Sequence, residues 1–227
     1  MNSIERNRII ISYLEENEEL FNDYTKSLIL ENMDKDVGFG TPGVVLQLYD
    51  ELGILEDKKN PYKAFADLID AQFDIKNKNI IEIGGGVIPR LGKRIARMQN
   101  CGTIIVYDPN LCTTESKISN MKLVNRRFYS VTNVDKADLL VGLLPCGSSS
   151  TIVKSAIRHN KDFMIAVCDS CNSLEFFDGY DELDEEWPND FILRTKEMVE
   201  DNNMGQLKKV YMKEIGEQYP IIYNDRR

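Results

Sequence analysis

Asn79-Ile80-Ile81-Glu82-Ile83-Gly84-Gly85-Gly86-Val87-Ile88-Pro89-Arg90-Leu91-Gly92 is the stretch of sequence that decides the fold. A short apolar run ends in three glycines and passes through a proline into residues with helical spacing, which predicts a strand, a tight turn and a helix start. Glycines at such a turn allow positive φ angles and let a ligand approach the main chain closely. The following helix presents unpaired N–H groups at its N-terminus. The stretch is therefore typical of a nucleotide-binding sheet edge.

The composition indicates a folded protein with one well-cored domain and a modest extension. The 227 residues are 42% hydrophobic and 29% charged, and their formal net charge is −9. This acidic balance disfavours nucleic acid as a partner, although a local basic patch would still permit it. No apolar run approaches the roughly 20 residues that span a bilayer, and no signal-peptide core follows residues 1–8. A cytoplasmic protein with no membrane contact is expected, with its five cysteines reduced.

Two regions with different patterns follow one another along the chain. Residues 1–73 have amphipathic helical spacing, interrupted by a glycine and proline cluster at 38–43, and are interpreted as an N-terminal helical cap or subdomain. Residues 74–227 alternate short apolar runs with helical stretches. The expected strands are residues 79–83, 103–107, 122–128, 138–144 and 163–167.

Several of these runs are apolar throughout, which indicates strands buried on both faces. The segments between them are long enough for crossovers, so the pattern predicts a parallel sheet with helices on both sides. Residues 206–215 and 219–223 are expected to form a terminal hairpin. The predicted fold class is α/β, a three-layer Rossmann-like sheet with an N-terminal helical extension.

Two classes of nucleotide ligand compete for the glycine turn. The dinucleotide fingerprint Gly-x-Gly-x-x-Gly, counted from Gly84, would need a third glycine where Pro89 stands, and this weakens an NAD interpretation. Asp108 ends the apolar run 103–107, 24 residues after Gly84. A carboxylate at that strand end can accept hydrogen bonds from ribose hydroxyls. NAD sites use the same acid, so Asp108 alone does not separate the two classes.

Residues 82–86 resemble the acid-x-Gly-x-Gly motif of class I S-adenosylmethionine-dependent methyltransferases. That family has five parallel strands followed by an antiparallel terminal hairpin, and the order of apolar runs from residue 74 onward is similar to it. The resemblance implies that Gly84, Gly85 and Gly86 pass beneath the methionine part of S-adenosylmethionine. It also implies that Glu82 orients the turn or the cofactor's amino group, that Asp108 holds the ribose, and that Pro109 and Asn110 flank the adenine.

A second loop is expected at the same edge of the sheet, after the fourth strand. The resemblance implies that Leu144 and Pro145 face the cofactor and its transferred methyl group. Amino-group methyltransferases of nucleic-acid bases often carry Asp/Asn-Pro-Pro-aromatic here, whereas residues 144–147 are Leu-Pro-Cys-Gly. Methyl transfer to a small molecule is therefore the favoured function. The alternatives are RNA methylation, suggested by a Cys-Gly and cysteine-pair subgroup of the family, and a non-catalytic cofactor-binding or scaffold protein of the same fold.

No residue is assigned to catalysis from the sequence, and no metal site is expected. His159, the only histidine, is expected near a helix end at the opposite edge of the sheet. Cys146 and Asp169 follow strands at the ligand edge, but structural roles are favoured for both. Cys168 and Cys171 have the spacing of half a zinc site, and no second ligand pair accompanies them.

One basic stripe and one acidic segment are expected to be solvated. Arg90, Lys93, Arg94 and Arg97 share a helix face, for which solvent contact is favoured over RNA binding. Residues 163–193 contain no lysine or arginine, and their acidic residues are expected to form a solvated loop or a cover that favours a cationic substrate.

Overall fold

The computed structural model describes residues 3–35, 37, 41–56, 59–98, 100–145, 147–168, 189–216 and 218–227. The helices are α1 (Ser3–Glu16), α2 (Asp23–Asn32), α3 (Gly43–Glu51), α4 (Pro61–Phe73), α5 (Arg90–Arg97), α6 (Ser149–Arg158) and α7 (Asn189–Asp201). The strands are β1 (Ile80–Ile83), β2 (Ile104–Tyr107), β3 (Met121–Val124), β4 (Leu139–Leu143), β5 (Asp162–Ala166), β6 (Gln206–Val210) and β7 (Ile221–Asp225). No helix in these ranges has the length and apolar character that crossing a bilayer requires. Cys146, Asp169, Cys171 and most of the acidic segment lie outside the described residues, so the interpretations of them stay predictions.

The strands form one mixed sheet in the order β3-β2-β1-β4-β5-β7-β6. Strands β1 to β5 are parallel, whereas β7 runs antiparallel to both of its neighbours, β5 and β6. This arrangement confirms the predicted Rossmann-like sheet with an antiparallel terminal hairpin. The direction in which strands are added reverses between β1 and β4, and sheets of this kind bind ligands at the carboxyl ends of the strands beside such a reversal.

Two expected strands are shorter than the sequence indicated. The third strand ends at Val124 instead of residue 128, because the Arg126 N–H donates back to the Val124 carbonyl and turns the chain out of the sheet. The sixth strand ends at Val210 instead of residue 215, because the Ile215 N–H donates to the Met212 carbonyl in a turn. Both segments contain apolar residues, so apolar character alone did not mark where pairing stops.

Each face of the sheet is covered by its own helices. Helices α4 and α5 pack on the face that carries Ile80, Val106 and Val141, while α6 and α7 pack on the face that carries Ile81 and Ile165. Alternation along β1 therefore places Glu82 on the α4 and α5 side, between Ile81 and Ile83 of the other face. The described segments 108–120 and 125–138, which lead into β3 and β4, contain no helix.

Helices α1, α2 and α3 form a smaller core beside the sheet. Its buried residues include Ile10, Ile29 and Leu48, and it also contains Ile88, which follows the glycine turn. The N-terminal region is thus packed directly against the turn. Helix α4 instead shares its core with the sheet. The division of the chain at residue 73 stays a prediction, and this packing favours a boundary before α4.

The two edge strands of the sheet, β3 and β6, are four and five residues long. Lys122 lies in β3 and is exposed, and Lys208 and Lys209 lie in β6. Lysine is absent from the central strands β1, β4 and β5.

Candidate functional site

The glycine turn connects β1 to α5 at the reversal point of the sheet. Gly84 and Gly86 have φ angles of 79° and 72°, in the left-handed region that favours glycine. A Cβ atom on Gly84 would lie 2.9 Å from the Cα atom of Pro145, in the loop after β4. The turn and that loop therefore touch at the edge where a ligand is expected, with only main-chain atoms of the glycine between them.

Asp108 stands at the carboxyl end of β2, as predicted, and is 8% exposed. One carboxylate oxygen accepts a 2.9 Å hydrogen bond from the Gly86 N–H, and the other accepts a 2.7 Å bond from the Asn110 N–H. A carboxylate has about four acceptor positions, so these bonds fix its orientation and leave capacity for further donors. Pro109 and Asn110, next along the chain, are exposed.

Glu82 lies under the glycine turn and is only 2% exposed. Its carboxyl accepts a hydrogen bond from the backbone N–H of Gly92, and its Oε2 atom has no hydrogen-bond partner among the described residues. Burial raises the pKa of Glu82 to about 8, with the Gly92 bond lowering it and the charge of Asp108 raising it. At neutral pH the group is therefore mainly a neutral carboxylic acid.

The loop after β4 bends sharply at Leu144. Leu144 has a φ angle of 51°, which is uncommon for a bulky residue and costs on the order of 1–3 kcal/mol. Its N–H donates to the Ala166 carbonyl at 3.1 Å, and the bend brings Pro145 against Gly142 as well as Gly84. A strained residue thus places the proline beside the glycine turn. Leu144 is partly exposed and Pro145 is buried.

Helix α3 contributes a residue to the turn that the sequence did not single out. The Gln47 side chain, 9% exposed, donates from Nε2 to the Gly85 carbonyl at 3.2 Å and accepts at Oε1 from the Ile88 N–H at 3.1 Å. One signal was present in the sequence, since Gln47, Asp50 and Glu51 have the same i, i+3, i+4 spacing as Arg90, Lys93 and Arg94.

The prediction that the basic stripe of α5 is solvated is wrong for three of its four residues. Arg90, 5% exposed, donates to the Asp50 carboxylate at 2.6 Å and also pairs with Glu51. Arg94 pairs with the same Asp50, and Lys93 pairs with Glu51 at 2.8 Å. Only Arg97 is exposed as expected. The acidic face of α3 covers the stripe, so its three paired residues are not free to bind RNA phosphates.

Asp50 is the centre of this cluster. Burial alone would raise the pKa of Asp50, but hydrogen bonds from Arg94, Arg90 and Asn60 hold it below its ordinary value. Asn60 donates to Asp50 at 2.5 Å and also accepts from the Lys63 N–H at 3.0 Å, capping α4. The single carboxylate of Asp50 therefore joins three helices next to the glycine turn.

His159 lies away from this site, as expected. It follows Arg158, the last residue of α6, and its Nδ1 atom is 3.2 Å from Asp135 at the opposite edge of the sheet. Cys101 and Cys112 are free thiols.

No protein-family model matches the chain, and no curated protein matches it in sequence. Solved structures match it at low identity. The carbon methyltransferase CurJ matches at a TM-score of 0.49 and 11% identity, over 95% of this chain and 70% of its own. The magnesium protoporphyrin IX methyltransferase of Synechocystis PCC 6803, solved with bound SAM, matches at 0.48 and 9%, over 98% and 96%. The antibiotic-resistance methyltransferase Kmr matches at 0.45 and 12%, over 70% and 91%.

Proposed function

We propose that this protein is an S-adenosylmethionine-dependent methyltransferase. The observation that carries the proposal is the hydrogen bond from the Gly86 N–H to Asp108, because it joins a glycine turn to a buried carboxylate at the reversal point of the sheet. A nucleoside bound there would meet an oriented acceptor for its ribose hydroxyls. The absence of a third glycine at Pro89 supports S-adenosylmethionine over NAD.

The described residues fit the parts of this cofactor. The main chain of Gly84, Gly85 and Gly86 would lie under the methionine portion. Behind it would lie the Oε2 atom of Glu82, for which the described part of the chain supplies no hydrogen-bond partner. Asp108 would hold the ribose, and the exposed Pro109 would flank the adenine. Leu144 and Pro145 would form the wall that faces the acceptor.

The bound cofactor would supply an electrophilic methyl group on a sulfonium. The protein would then align the acceptor with that methyl group, which is the larger part of catalysis for such a displacement. A general base is required only if the acceptor must lose a proton. None of the described residues is assigned that role.

A small molecule is the acceptor class we favour. The net charge of −9 opposes attraction to phosphates, and the basic side chains nearest the turn are engaged by Asp50 and Glu51. RNA methylation and a non-catalytic cofactor-binding role are the competing functions. A transfer screen with methyl-labelled S-adenosylmethionine, using RNA and a metabolite extract as separate acceptors, distinguishes all three.

Titration calorimetry on Asp108→Ala tests the cofactor assignment. We expect wild-type protein to bind S-adenosylmethionine, and the variant to bind it more weakly by about 1–3 kcal/mol, because a ribose acceptor is lost. The matched control is Asp138→Ala, since Asp138 also accepts a backbone N–H, from Asn79 at 2.8 Å, but lies at the opposite edge of the sheet. Binding of NAD without any response to S-adenosylmethionine would sink the proposal.

A further inference from the structure

The glycine turn is held on two sides by different parts of the chain. On the β2 side, Asp108 accepts from the Gly86 N–H, and the Cys112 N–H donates to the Val87 carbonyl at 3.0 Å. On the α3 side, the carboxamide of Gln47 bonds both the Gly85 carbonyl and the Ile88 N–H. One side chain from the N-terminal region therefore bridges the whole bend of the turn.

The fit between Gln47 and the turn is close. A Cβ atom on Gly86 would lie 1.9 Å from Nε2 of Gln47, so only glycine at residue 86 leaves room for the carboxamide. Both hydrogen bonds of Gln47 are buried. Loss of the carboxamide would therefore leave a main-chain carbonyl and a main-chain N–H without partners away from water, which is costly.

Helix α3 is itself fixed beside the turn. Val45 and Leu48 are fully buried in the N-terminal core together with Ile88, and Asp50 binds the first turns of α5. Gln47 is thus supported from both sides along its own helix. Because Gly86 is hydrogen-bonded to Asp108, a displacement of the turn would also disturb the carboxylate at the end of β2.

We propose that Gln47 is a positioning residue, which holds the glycine turn in the conformation that receives the cofactor and couples docking of α3 to cofactor binding. The inference rests on the proposed function for the identity of the ligand. It assigns the N-terminal region a direct part in the nucleotide site, through two main-chain hydrogen bonds.

Gln47→Met is the variant that tests this, because methionine keeps the side-chain length and helix propensity but makes neither bond. We expect the Kd for S-adenosylmethionine to rise about 5- to 100-fold, as two buried hydrogen bonds are lost. Hydrogen exchange of residues 84–90 should accelerate in the ligand-free protein. In wild-type protein the cofactor should slow exchange in residues 43–51 as well, and this remote protection should disappear in the variant.

Two controls separate positioning from a general loss of stability. Gln72→Met makes the same chemical change on α4, where Gln72 accepts a hydrogen bond from Arg227. Ile29→Val loosens the N-terminal core at the fully buried Ile29 and leaves the carboxamide of Gln47 in place. Both should leave the Kd within about twofold of wild type, since effects at distant sites are largely independent.

An unchanged Kd and unchanged exchange of residues 84–90 in Gln47→Met would overturn the inference, as would an equal loss of binding in Ile29→Val. If wild-type protein binds no S-adenosylmethionine, the proposed function fails, and the exchange of residues 84–90 alone decides whether Gln47 holds the turn. Should Gln47→Met not fold, the cofactor-induced slowing of exchange in residues 43–51 of the wild-type protein decides the inference, and its absence would overturn it.

Discussion

A carboxyl group with almost no access to water lies beneath the glycine turn. Glu82 accepts a hydrogen bond from the Gly92 N–H, and its Oε2 atom has no hydrogen-bond partner among the described residues. A Cβ atom on Gly92 would lie 2.4 Å from that oxygen, so the glycine in the first turn of α5 makes room for the acid. As a neutral acid, Glu82 can donate as well as accept a hydrogen bond.

The pH dependence of stability tests the protonation of Glu82. Its pKa of about 8 in the folded state lies above the ordinary value of 4.5, so the folded state binds the proton more tightly than the unfolded state. The resulting stabilisation is complete below pH 4.5 and is lost as the pH rises through about 8. Relative to Glu82→Gln, which does not titrate, wild-type protein should lose on the order of 2–4 kcal/mol of unfolding free energy between pH 5 and pH 9.

Urea unfolding at a series of pH values measures this difference. The exposed Glu115→Gln is the matched control and should follow the wild-type curve. Parallel curves for wild type and Glu82→Gln across the range would contradict the assignment of a neutral acid beneath the turn.

Salt bridges join helices α3 and α5, and the sequence of either helix alone does not predict them. Arg90, Lys93 and Arg94 repeat at helical spacing, which indicates a shared face but carries no information on what covers it. The covering residues, Asp50 and Glu51, come about 40 residues earlier in the chain. The spacing of the basic stripe therefore predicts a solvated face, although α3 covers it. The role of Gln47 is not predictable for the same physical reason, since it exists only after two distant segments pack together.

Asp50→Asn tests the energetic weight of that contact. The change leaves Arg90 and Arg94 partly or fully buried without their main counter-charge, so we expect a loss of about 3–5 kcal/mol of unfolding free energy in urea titrations. Asp67→Asn serves as the control, because its 2.9 Å pair with Lys63 is exposed and should be worth about 0–1 kcal/mol. Equal losses of unfolding free energy from the two substitutions would contradict a larger contribution of the buried cluster to stability.

The molecule is built from three cores that meet near the glycine turn. The two faces of the sheet were predictable, because β1 and β2 are apolar runs bounded by clear turn signals. Helix α4 begins at Pro61 and ends at Phe73, where the sequence also places the end of the helical region. Asn60 caps the helix and Asp74 closes it in a left-handed conformation, so local chemistry fixed those bounds. The place of α4 on the sheet was not predictable, since helical periodicity identifies an apolar face without its partner.

Phe65→Ala tests whether the chain unfolds as one unit. Phe65 is fully buried between α4 and the sheet, so its truncation should cost about 3–5 kcal/mol of unfolding free energy. Native-state hydrogen exchange should then show residues 3–33 and the strands losing protection together, because Ile88 ties the N-terminal core to the turn. Leu193→Ala, at an exposed position on α7, should change stability by less than about 0.5 kcal/mol. If residues 3–33 keep wild-type protection from hydrogen exchange while the strands lose theirs, the N-terminal region is instead an independent domain.

Lysines on the two edge strands of the sheet oppose aggregation of this protein at high concentration. An edge strand presents unpaired N–H and C=O groups that can pair with the edge of another molecule, and short strands and lysine side chains oppose such pairing. Lys122 on β3, and Lys208 and Lys209 on β6, would be forced against a second chain if either edge were extended. The sheet is thus protected at both ends from growing into intermolecular aggregates, while its apolar central strands stay enclosed.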